Sequence, residues 1–134
     1  MKTRTRPMIL LAEDFEDARD LYKDYLEFSG FTVKTATNGR EAINLAASLQ
    51  PDLILMDASM PVLDGWQATR ELKANPVTRH IPVVALTAHA FDDARQEARS
   101  SGCDAFVTKP CLPDDLVDKV RATLESGKKK RDRR

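Results

Sequence analysis

Two apolar patterns alternate along this chain, and that alternation limits its fold more than any other feature. Residues 8–12 (Met-Ile-Leu-Leu-Ala) and 53–56 (Leu-Ile-Leu-Met) are short apolar runs without a polar residue. Such runs suit strands covered on both faces. After the first run, Phe15, Ala18, Leu21, Tyr22, Tyr25 and Leu26 recur at helical spacing, and Ser29-Gly30 stops that segment. Residues 31–36 are more polar, as in an edge strand. Asn38-Gly39 turns into a helix lined by Ala42, Ile43, Ala46 and Leu49 and ended by Pro51. Asp64-Gly65 opens a third helix to about residue 74, with Asp64 as N-cap, and Asn75-Pro76 ends it. A fourth strand covers 81–86, with Pro82 tolerated near its start. Residues 90–101, with Ala90, Phe91, Ala94 and Ala98, form a polar, weakly amphipathic helix closed by Gly102. A short fifth strand at 105–107 precedes a helix that starts after Pro113, carries Leu116, Val117, Val120 and Leu124, and closes at Gly127. Five strand–helix units in series dictate an α/β fold, a parallel sheet with helices on both faces.

A chain of 134 residues is one domain, large enough for a core without disulfides or a structural metal. No apolar run approaches the roughly 20 residues that span a bilayer. The basic start followed by an apolar stretch resembles a signal peptide, but Glu13 and Asp14 end the stretch too early. Cys103 and Cys111 have neither a CxxC spacing nor nearby histidines, so reduced thiols in a cytoplasmic protein are expected.

The 21 basic and 21 acidic residues sum to zero but are unevenly placed. Residues 1–6 carry a charge of +3 and residues 128–134 carry +5, leaving −8 on the stretch between. The expected organisation is a domain over 7–126, with a basic extension at 1–6 and a basic tail at 127–134. An acidic body argues against nucleic acid as the main partner. The tail by itself implies weak, salt-sensitive, nonspecific contact with phosphates at best. Contact with its own acidic domain, an acidic partner or an anionic membrane surface is an equal alternative.

Ligands of such sheets bind outside the carboxyl ends of the strands. Glu13 and Asp14 follow the first strand, Asp57 ends the third, Thr87 follows the fourth, and Lys109-Pro110 follows the fifth. Singly, each has an ordinary explanation: an Asp at a strand end is usually a cap or turn residue, and Glu-Asp is usually an acidic first turn. Converging, three carboxylates need a cation, raised pKa values or separation. Mg²⁺ suits them, being a hard ion that takes one or two carboxylates, keeps water and accepts phosphate oxygens. A lysine and a threonine opposite would bind the other oxygens of a phosphoryl group.

Together, Glu13-Asp14, Asp57-Ala58-Ser59-Met60-Pro61 with Asp64-Gly65, Leu86-Thr87-Ala88 and Lys109-Pro110 resemble the receiver domain of two-component response regulators. The resemblance spans residues 7–126 and implies a flavodoxin-like, doubly wound sheet in the order 2-1-3-4-5 with five helices. It implies that Asp57 accepts phosphate from a phosphohistidine on a sensor histidine kinase or phosphotransfer protein. Glu13, Asp14, Asp57 and the backbone carbonyl of Ser59 would hold Mg²⁺. Lys109 would pair with phosphate oxygens, aimed by a cis Lys109–Pro110 bond, and Thr87 would hydrogen-bond the phosphoryl group. Phe106 stands at the aromatic switch position, where the common residue is Tyr, so it offers no hydroxyl. Ser59 and His89 occupy positions that tune the phosphoryl lifetime, whereas His80 is expected to be an exposed polar residue. Phosphorylation would shift the surface formed by the fourth helix, fifth strand and fifth helix towards a downstream protein.

The resulting expectation is a stand-alone phosphoacceptor signalling protein, monomeric or weakly dimeric when phosphorylated, which catalyses only its own phosphorylation and dephosphorylation. A receiver domain excised from a hybrid kinase or longer regulator is the alternative within the family. A haloacid-type phosphatase would need an aspartate at position 59, where serine stands. An FMN-binding flavodoxin would need a Ser/Thr/Gly phosphate loop where Glu13 and Asp14 are.

Overall fold

The computed structural model describes residues 6–88, 92–109 and 111–132, with backbone alone over 92–94 and 128–132. The elements run β1 (Met8–Ala12), α1 (Glu16–Phe28), β2 (Thr32–Ala36), α2 (Gly39–Leu49), β3 (Leu53–Asp57), α3 (Gly65–Ala74), β4 (Val83–Thr87), α4 (Asp92–Ser101), β5 (Ala105–Thr108) and α5 (Pro113–Asp132). All neighbouring strands are parallel and the order is β2-β1-β3-β4-β5, as the resemblance implied.

The continuous apolar runs have a simple consequence. Successive side chains of a strand point to opposite faces, so Ile9 and Leu11 enter one core while Leu10 and Ala12 enter another. The first core is closed by Tyr22 and Leu26 of α1 and by Leu116, Val117 and Val120 of α5. The second is closed by Ala42 and Ala46 of α2 and by Ala68 and Leu72 of α3. Every residue of β3 and β4 is buried, whereas β2 at the edge keeps Lys34 exposed.

Caps place the loops at the sheet's carboxyl edge. Asn38 and Asp64 cap α2 and α3, their side chains accepting from the amides of Glu41 (2.8 Å) and Gln67 (2.9 Å). α1 and α4 stop where Gly30 and Gly102 take positive φ angles of 104° and 91°.

Several expectations need correction. β2 starts at Thr32 and β4 at Val83. Pro82 has no N–H for the ladder, and the Ile81 amide is turned back to the Thr78 carbonyl at 3.0 Å. Phe15 and Leu21 keep the helical spacing but face solvent, Phe15 with 61% exposure. Gly127 does not close the last helix: α5 continues to Asp132. No described atom lies within 4 Å of a β-carbon at Gly127, and no proline follows it in the sequence, so neither sterics nor a missing N–H stops the helix there. Ala90 and Phe91, expected in the fourth helix, lie outside the described residues. Among the described residues, no helix is long and apolar enough to cross a membrane.

Candidate functional site

β1 and β3 are neighbours and β4 stands between β3 and β5, and the residues that follow or terminate β1, β3 and β5 converge at this edge. Glu13 is fully buried, its amide donating to the Ala36 carbonyl at 3.0 Å, while Asp14 beside it is exposed. Arg19 reaches back from α1 to the Glu13 carbonyl at 3.1 Å and holds this turn. Asp57 is buried at the end of β3, and its Oδ1 accepts from the Ser59 amide at 3.1 Å. One carboxylate oxygen from each of Glu13, Asp14 and Asp57 lies within 4.8 Å of the others.

Lys109 approaches from the end of β5. Its Nζ stands 2.5 Å from Glu13 Oε1 and 3.3 Å from Asp57 Oδ2. Its backbone is anchored on β4, the amide donating to the Thr87 carbonyl at 2.7 Å. Thr87 is buried at the end of β4, the strand that pairs with β3 on one side and β5 on the other.

One ammonium does not balance three carboxylates. Burial, then the hydrogen bond and charge of Asp57, raise the Glu13 carboxyl above its ordinary range, although Lys109 acts the other way. Burial acts to lower the Lys109 pKa, but the hydrogen bond to Glu13 and the charges of Asp57 and Glu13 outweigh it, so the ammonium is held more firmly. The cluster thus sets three carboxyl groups against one ammonium and offers hard oxygen donors, a set that fits a small divalent cation.

The geometry brings together Glu13, Asp14, Asp57, Lys109 and, through its backbone, Ser59. Phe106 lies on the far side of β5, half-buried in a groove of about 440 Å³ that Arg95, Arg99 and Lys119 also line. His80 is exposed beyond α3, away from the cluster. His89 and Pro110, and with it the expected cis bond, lie outside the described residues.

Three features escaped the reading of the sequence. Gly65 packs so closely on β3 that a β-carbon there would overlap the Asp57 carbonyl oxygen. Gly65 donates to the Ala58 carbonyl at 3.0 Å, so the loop after Asp57 returns to its own strand end. Tyr22 and Tyr25 of α1 contact Cys111 and Asp114, just beyond Lys109. The Asp57-to-Gly65 spacing was the only available signal for the first two features, and none existed for the third.

Known proteins resemble this chain. The model of the response regulator receiver domain matches residues 9–121. The polar-differentiation response regulator DivK of Brucella anthropi is 36% identical over 116 residues, which cover 87% of this chain and 94% of that protein. The solved receiver domain of a signal transduction histidine kinase from Syntrophus aciditrophicus is 35% identical, with a TM-score of 0.83, and covers 90% of this chain and 91% of that one. The receiver domain of a sensor histidine kinase from Pseudomonas aeruginosa PAO1, solved with magnesium in its active-site cleft, is 31% identical with a TM-score of 0.84. Its match covers 90% of this chain and 99% of that one. A five-stranded 2-1-3-4-5 sheet with acidic residues and a lysine at its carboxyl edge, matched over most of its length by that model and by DivK, belongs to the response regulator receiver domain family and has a phosphoacceptor role in two-component signalling.

Proposed function

We propose that Asp57 is the phosphoryl acceptor and that Glu13, Asp14, Asp57 and the Ser59 carbonyl hold Mg²⁺ beside it. One observation carries this reading: three carboxylates meet within 4.8 Å, with the Lys109 ammonium against two of them. The donor set fits the ion, which would supply positive charge to the transferring phosphoryl group and to its acceptor.

The chain's own residues do the rest. An Asp57 carboxylate oxygen forms the new O–P bond as the N–P bond of a phosphohistidine breaks, and that electron pair stays on the imidazole nitrogen. β3 and the Ser59 amide fix the direction of the carboxylate. Lys109 gives up part of its contact with Glu13 and Asp57 to bind phosphoryl oxygens. Thr87, one strand away, turns its hydroxyl to the same group, and Phe106 follows on the far side of β5. The partner surface of α4, β5 and α5 changes with them. The same site positions water to hydrolyse the acyl phosphate, with Ser59 and His89 setting the lifetime.

The phosphodonor is a sensor histidine kinase or a histidine phosphotransfer protein, and the output is a contact with a downstream protein in the cytoplasm. The match over 94% of DivK, itself a response regulator, supports the phosphoacceptor reading.

The test is intact-mass analysis after incubation with Mg²⁺ and acetyl phosphate. One phosphoryl group, removed by hydroxylamine and absent with a chelator, is expected. Labelling that persists in Asp57→Asn would refute the assignment.

A further inference from the structure

Lys109 works at the end of a stretch that leaves the sheet, and what fixes that stretch is outside the charged cluster. Tyr22 and Tyr25 are three residues apart on α1 and therefore share a face. The Tyr22 hydroxyl stands 3.9 Å from Cys111 Sγ. The Tyr25 hydroxyl hydrogen-bonds Asp114 Oδ1 in the first turn of α5. Each contact joins residues 89 apart, so the spacing of the two tyrosines on the helix matches the spacing of their two partners. The Tyr22 ring is buried in the core with Leu26 and Leu116, and Cys111 packs against that cluster. Between the two partners, Leu112 has an exposed side chain and a carbonyl that accepts from the Leu116 amide at 3.1 Å, and Pro113 has no N–H to donate.

On the Lys109 side the backbone is anchored by the 2.7 Å bond to the Thr87 carbonyl, directly after the β4–β5 ladder reaches Thr108. A lysine carries its charge on a long, flexible stem, so the reach of its ammonium depends on how firmly the backbone beneath it is fixed. A shift of about 1 Å in a positioned group can cost up to 100-fold in rate.

We infer that Tyr22 and Tyr25 are positioning residues for Lys109. They clamp the segment from Cys111 to Asp114 against α1 and thereby set the point from which the ammonium reaches Glu13, Asp57 and an incoming phosphoryl group. The inference rests on the role proposed for Lys109 above. A purely structural role for the tyrosines would lower stability and slow any phosphorylation alike, with or without the lysine.

The test is a comparison of initial labelling rates of the full chain with Mg²⁺ and acetyl phosphate. The proteins are wild type, Tyr22→Phe/Tyr25→Phe, Lys109→Ala and the combined triple variant, each checked by urea unfolding. Lys109→Ala is expected to label roughly 10-fold or more slowly. The double phenylalanine variant is expected to label roughly three- to tenfold more slowly, and the triple variant no more slowly than Lys109→Ala. Asp114→Ala, which keeps both rings but removes the acceptor of the Tyr25 hydroxyl, is expected to show a smaller loss that is likewise absent without the lysine, and serves if the double variant does not fold. The inference is overturned if the tyrosine variants label at the wild-type rate. It is also overturned if they slow Lys109→Ala by the same factor as wild type. A wild-type protein that takes no label on Asp57 would instead overturn the proposed function itself.

Discussion

The α-carbon of Gly65 lies against the backbone carbonyl of Asp57, and a β-carbon there would come within 2.8 Å of the Asp57 carbonyl carbon as well as overlapping its oxygen. The N-terminus of α3 is thus seated directly on the strand end that presents the candidate acceptor. Gly65→Ala must push β3 and α3 apart, because the obstructing atoms are backbone and cannot rotate away. A loss of about 1–3 kcal/mol is expected from such overpacking, together with weaker Mg²⁺ binding. Thermal unfolding with and without Mg²⁺ reads both; a variant with unchanged Tm and metal affinity would show that the strand end tolerates displacement.

Removing the ammonium should make the site a better cation trap. Lys109 Nζ is 2.5 Å from Glu13 and 3.3 Å from Asp57, so it competes for the carboxylates proposed to take the metal. Lys109→Met is expected to fold, to lose stability without divalent cation because buried carboxylates lose their partner, and to bind Mg²⁺ several-fold more tightly. Calorimetric titration of both proteins at one ionic strength decides it, and weaker binding by the variant would contradict the competition.

These relationships separate what could be read from the sequence from what could not. The strands, their buried character and the residues at their carboxyl ends follow from periodicity, because burial on two faces demands unbroken apolar runs. Glu13, Asp14, Asp57, Thr87 and Lys109 could therefore be assigned to one edge. Periodicity records burial against a core and carries nothing about pairs. It could not show that Gly65 touches Asp57, or that Tyr22 and Tyr25 meet Cys111 and Asp114 from 89 residues away. It also assigned Phe15 and Leu21 to the apolar face of α1, because spacing alone cannot distinguish a core position from its exposed neighbour.

Tyr22 makes stability depend on alkaline pH. Burial, then the charge and hydrogen bond of Cys111, push its phenol from 10.0 to about 12. The unfolded chain ionises this tyrosine first. The contribution is therefore complete below pH 10 and disappears as pH rises to about 12, at roughly 1.4 kcal/mol per unit. Urea unfolding across this window is expected to show a steeper decline for wild type than for Tyr22→Phe. Parallel declines would mean that the phenol titrates normally.

Strain is concentrated beside the site at Val62. Its φ is 69°, and the Leu63 amide bonds back to the Pro61 carbonyl at 2.7 Å, closing a three-residue turn. A β-branched residue resists this conformation, and with 81% of its surface exposed the side chain gains little burial in return. Val62→Gly relieves the strain but frees the unfolded chain, so a net gain of about 1 kcal/mol is expected. A lower Tm in that variant would show that the valine side chain makes a stabilising contact.

Gly127 offers a complementary case, in which a glycine has no structural duty. It lies within α5 with no atom near its missing β-carbon and no positive φ, yet it precedes the basic run that ends the helix at Asp132. Glycine costs a helix interior about 1 kcal/mol relative to alanine. Gly127→Ala should therefore raise helix content and slow amide exchange over 124–131, while labelling of Asp57 by acetyl phosphate stays unchanged. Because no described atom lies within 4 Å of a β-carbon at Gly127, the two readouts should move independently. A change in the labelling rate would instead tie the basic end of α5 to the phosphorylation site.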